Sequence, residues 1–137
     1  DLDPHFVNIQ VHDTSGDIEY FQTVVDKLRS IGMHITLSQF GSGQSSYQHL
    51  SKTSVSDVKV DSKFIEEMDD TNQAILQSIV TLTDQLQLNS SLSNINTKTQ
   101  HEFVQHLPYT FIQGDYYCPP LTKQQIELHF QNDIRPL

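Results

Sequence analysis

Val55-Ser56-Asp57-Val58-Lys59-Val60-Asp61 is the stretch on which the architecture turns. Val58 and Val60 alternate with Asp57, Lys59 and Asp61, so a strand here sends apolar side chains one way and charges the other. A sheet covered by helices on both faces reads instead as continuous apolar strands. A charged stripe rising to the C-terminal end of a strand fits a barrel mouth, where side chains meet ligand. The same stripe also fits a local Lys59–Asp61 ion pair at a wet edge.

The hydrophobic pattern on either side switches between two periods. Phe6–Val11 reads as a strand. Ile18, Phe21, Val24, Val25, Leu28 and Ile31 then fall at helical spacing, predicting a helix from about Asp17 to Ser30 that Gly32 stops. Met33–Leu37 is a second strand, and Gly41-Ser42-Gly43 leads into a short helix around Ser45–Leu50. After the strand Val55–Val60, the acidic residues Glu66, Glu67, Asp69 and Asp70 suit a helix N-terminus. Ile75, Leu76, Ile79, Val80, Leu82 and Leu86 follow as the longest helix. Asn89–Leu92 is a weak strand. Thr97-x-x-Gln100 reads as a capping box before the helix with Phe103, Val104 and Leu107. Tyr109–Gln113 is the last strand, and Thr122-x-x-Gln125 caps a final helix with Ile126 and Phe130. The strict β-α alternation predicts parallel strands in an α/β fold. Five βα units cannot close an eight-strand barrel, which leaves an open sheet or a partial TIM-like (β/α) barrel.

Composition narrows the function. Eight Lys and Arg against 17 Asp and Glu give a net charge of −9, which opposes DNA or an anionic membrane as main partner. Arg29 and Arg135 are the only arginines, so no arginine cluster for phosphate is expected. No apolar run reaches membrane-spanning length, and Asp1-Leu2-Asp3-Pro4 does not read as a signal peptide. Cys118 is the single cysteine; with no intrachain disulfide, a cytoplasmic location is the expectation. The seven histidines lack metal-site spacing and read as surface residues. Ser, Thr, Gln and Asn fill 46 of the 137 positions, yet the periodicity marks a folded chain rather than low complexity.

Three blocks carry a resemblance. Leu37-Ser38-Gln39-Phe40-Gly41-Ser42-Gly43-Gln44-Ser45-Ser46 resembles the DDFGTGYSS loop of EAL domains, the bacterial cyclic di-GMP phosphodiesterases. Val58-Lys59-Val60-Asp61-Ser62-Lys63-Phe64 is similar to their LKID-x-x-F strand. Gln113-Gly114-Asp115-Tyr116-Tyr117 with Pro119-Pro120-Leu121 is similar to their QGYYF-x-x-PL end. The likeness runs from about Phe6 to Phe130 and implies the C-terminal half or slightly more of a TIM-like barrel. Residues 1–137 are thus expected to form a single degenerate EAL-like domain fragment, with five parallel βα units and the rest of the domain in a longer parent protein.

The resemblance implies two divalent metals held by carboxylates, clamping the attacking and leaving oxygens of a phosphodiester. At the matching positions this sequence has lost them. Gln10 stands for the first Glu of E-[IVL]-T-E, while Asp13, at its second, keeps the charge. Ser38 and Gln39 replace the Asp pair. Ser93 and Asn96 replace the glutamates of AEGVE. Lys59, Asp61, Gln113 and Pro120 keep family identities and are the tentative nucleotide-binding set. No catalytic residue, metal or cofactor is therefore expected. The leading expectation is a non-enzymatic signalling module that contacts a protein or another domain of its parent. A cyclic di-GMP receptor without hydrolysis comes second, and a residual phosphodiesterase third. Half a barrel leaves open sheet edges, so a homodimer through the strand Phe6–Val11 is also expected.

Overall fold

A computed structural model describes residues 3–14, 16–42 and 47–131. Its strands are β1 (Asn8–Val11), β2 (His34–Phe40), β3 (Asp57–Val60), β4 (Asn89–Leu92) and β5 (Phe111–Ile112). Its helices are α1 (Ile18–Ser30), α2 (Tyr47–Lys52), α3 (Lys63–Glu66), α4 (Asp70–Gln85), α5 (Lys98–Val104) and α6 (Lys123–Gln131).

Capping chemistry sets the helix starts. The Asp17 carboxylate accepts from the backbone N–H groups of Glu19 and Tyr20 at 3.1 and 3.0 Å, opening α1. Asp69 accepts from Asn72 N–H at 2.7 Å at the start of α4. Thr97 and Gln100 form the expected reciprocal box before α5. Each such cap contributes about 1 kcal/mol.

The strands differ from expectation at their ends, for local reasons. Asp3 and Pro4 set up a 3₁₀ turn over Pro4–Phe6, so β1 starts at Asn8 and Phe6 lies outside it. The last strand shrinks to two residues because Pro108 has no N–H to give and Tyr109 N–H bonds Leu107 C=O at 2.9 Å. The single turn α3 is too short to show helical periodicity. Gly43, Gln44, Ser45 and Ser46, with the expected start of the second helix, lie outside the described residues.

The five strands are all parallel in the order β1-β2-β3-β4-β5. Each βα unit adds its strand beside the last, with no point where the order reverses. This is barrel winding, in contrast to the doubly wound sheet. In the sheet, β1 and β5 are the edges.

The two strand phases separate cleanly. Ile35, Leu37, Val58, Val60 and Leu92 are at most 2% exposed and join Phe21 and Val25 of α1, Leu76, Ile79 and Val80 of α4, and Val104 of α5 in one core. Burying each such aliphatic side chain contributes about 1.5–3 kcal/mol. The alternate phase, with Gln10, Thr36, Asp57, Lys59 and Ser91, lines a cleft on the other face. The structure therefore decides the question left open by Asp57, Lys59 and Asp61: the charged phase faces the concave side.

Two glycines secure the strand ends. Gly41 sits at φ +92°, and a Cβ there would come within 2.8 Å of Phe64. A Cβ on Gly114 would lie 2.0 Å from the Ile95 carbonyl oxygen. A larger residue at Gly114 would push apart the loops after β4 and β5.

Candidate functional site

The C-terminal strand ends surround an open cleft of about 400 Å³, lined by Gln10, Ser38, Gln39, Lys59, Asp61 and Ser93, joined by Ser62 and Asn94. Six of these residues were singled out in the sequence, and the fold brings them together. Gln113 joins Lys59, Gln10 and Ser93 in the adjoining concave-face cleft of about 280 Å³.

The backbone shapes this mouth. The β2–β3 register shifts between Leu37 and Phe40, and Gln39 takes φ +53° within the irregularity. An L-residue in that left-handed region is uncommon, and here it sits where the strand must turn out of the sheet. Ser38 donates to the Val11 carbonyl of β1 at 2.9 Å, while Gln39 is exposed at the rim. Asn94 also has positive φ, at +67°, and lies two residues beyond the end of β4. Its signal in the sequence is weak: an Asn just beyond a strand, at a position with left-handed backbone preference.

The site's electrostatics are sparse. Among the described residues, Asp61 is the one carboxylate lining the mouth, and it accepts from the Ser42 hydroxyl and from Lys63 N–H. Behind the rim, Glu66 accepts from Asn94 Nδ2 at 2.7 Å and Ser62 Oγ at 2.8 Å. The Asn94 bond, then the Ser62 bond, hold the Glu66 carboxyl below its ordinary range. This bridge ties the loop after β4 to the loop after β3.

Other singled-out residues are placed elsewhere. Asp13 is buried and meets the buried His49 of α2, Oδ2 to Nε2, at 2.9 Å. His49 is thus a core residue, with its ring edge-on to Phe21 at a centroid distance of 5.0 Å, and the surface assignment from sequence is wrong for it. Its position on a six-residue helix gave no periodic signal of burial. Asn96 accepts from Asp115 N–H at 3.0 Å, which fastens the loop after β5. Pro120 is exposed and lines neither cleft. Cys118 is an exposed free thiol.

A pair of divalent cations takes several anionic oxygens. The mouth offers Asp61 among amides and hydroxyls, with the Lys59 ammonium beside it, and this donor set does not fit such a pair. Among the described residues, no three His, Cys, Asp or Glu side chains group to hold a metal ion. Nor is any described helix long and apolar enough to cross a membrane.

The EAL domain family matches residues 3–120. A bifunctional diguanylate cyclase/cyclic di-GMP phosphodiesterase of Pseudomonas aeruginosa, MucR, is 28% identical over 129 residues, covering 91% of this chain and 19% of its own length. The solved PaMucR phosphodiesterase in complex with c-di-GMP superposes with a TM-score of 0.83 at 28% identity, over 91% of this chain and 52% of that one. A Klebsiella pneumoniae BlrP1 complex with calcium and cyclic di-GMP gives 0.78 at 26% identity, over 87% of this chain and 31% of that one. The chain thus spans about half of the solved PaMucR phosphodiesterase. It belongs to the EAL domain family, and its sheet is part of that family's TIM-like barrel.

Proposed function

We propose that this member of the EAL family is catalytically silent and acts in bacterial cyclic di-GMP regulation by contacting a protein partner or another domain of its parent in the cytoplasm. One observation carries the reading. Of the family's carboxylate positions around the mouth, Asp61 is kept, while Gln10, Ser38, Gln39 and Ser93 are neutral. Neutral amides and hydroxyls supply neither the charge nor the affinity that two hard cations need. Asn96, at a further lost carboxylate, is occupied with the Asp115 backbone. The scaffold around them persists: the β2 irregularity, Gly41 against Phe64, and Gly114 against Ile95. A fold kept without its metal ligands supports recognition without turnover.

The second reading is a cyclic di-GMP receptor that does not hydrolyse. It is supported by Lys59 and Gln113, which keep family identities and line one cleft. The expected result of a product assay with cyclic di-GMP in Mg²⁺ or Mn²⁺ is no linear dinucleotide at ordinary enzymatic rates, about 1 s⁻¹ or above. Turnover at such rates overturns silence in favour of a residual phosphodiesterase. Restoring Ser38→Asp and Gln39→Asp together should leave the protein inactive, because Gln10 and Asn96 remain neutral. Calorimetric titration with cyclic di-GMP separates the two silent readings: saturable binding selects the receptor.

A further inference from the structure

We draw no further inference here: the strongest candidate, the outer groove between α2 and α4 where exposed Tyr47 and Ile75 stand beside Thr71, Ala74 and Ser78, is an unpartnered face and nothing in the structure shows what covers it.

Discussion

Replacing His49 with alanine tests how far the domain rests on one buried polar contact. The His49 and Asp13 side chains are 4% and 2% exposed and meet at 2.9 Å. Asp13 follows β1 and His49 belongs to α2, so the contact joins the end of the first strand to the helix that follows the β2 irregularity. Removing one partner of a buried pair takes from the other its matched charge or dipole, which costs about 3–5 kcal/mol; Asp13 keeps the Gly16 N–H bond at 3.2 Å. Against a total stability of about 5–15 kcal/mol for a domain, that is a large fraction. With a urea slope of about 2 kcal/mol per molar, the midpoint of His49→Ala should fall by about 1.5–2.5 M, read by circular dichroism. Asp13→Ala should also fall, because the buried imidazole loses its carboxylate partner. The double variant should cost much less than the two single effects added, with a coupling of about 2 kcal/mol or more. Asp13→Asn should lie between, since it keeps an acceptor but loses the charge assistance. A coupling below about 0.5 kcal/mol would refute the reasoning: the two side chains would then act independently.

Two further outcomes probe the site itself. Gln39 holds φ +53°, which favours glycine, so Gln39→Gly should be neutral to about 1 kcal/mol more stable, whereas Gln39→Val should fall about 1–2 kcal/mol below the glycine variant; equal stability of the two in urea denaturation would show that the left-handed turn is not fixed. Glu66 titrates below its ordinary value because Asn94 and Ser62 donate to its ionised form; the group is depressed in the fold, so its contribution is complete above the unfolded value and is lost as pH falls through the folded one. Carbon-detected NMR should therefore give Glu66 a low midpoint that the Asn94 side-chain amide shares, Glu66→Gln should abolish that response, and an ordinary midpoint would disprove the bridge.

The fold was legible where side chains decide it, and obscure where the backbone does. Val58 and Val60 against Asp57, Lys59 and Asp61 predicted a two-faced strand, and the concave cleft sits on the charged phase. The helices α1, α4, α5 and α6 follow apolar spacing and capping residues, which are local in the sequence. Phe6 was misjudged because Asp3 and Pro4 favour a turn whose hydrogen bonds outweigh the β preference of an aromatic residue. The single turn Lys63–Glu66 is too short to have a period at all. The burial of His49 was invisible for another reason: its partner lies 36 positions away, and nothing local marks a histidine as the mate of one aspartate.

The mouth shows the same division. Sequence comparison located Ser38, Gln39, Lys59 and Asp61 because they fall in blocks anchored by glycines and aromatics, and Gln10 and Ser93 by their place in order around those blocks. It missed Asn94 and Ser62, whose roles come from the Glu66 bridge between two loops. The strained turn at Gln39 links these observations. A non-glycine residue in the left-handed region costs about 1–3 kcal/mol and lasts only where the surroundings impose it. Here the imposing groups are buried Phe40 and Phe64, together with Gly41, which admits no Cβ beside Phe64 and Ile79. None of them is a charge or a metal ligand. The shape of the mouth therefore depends on packing, and it holds with Ser38 and Gln39 rather than carboxylates at its rim. A rim built this way keeps its amides and hydroxyls in fixed positions, an arrangement that suits the recognition role proposed above.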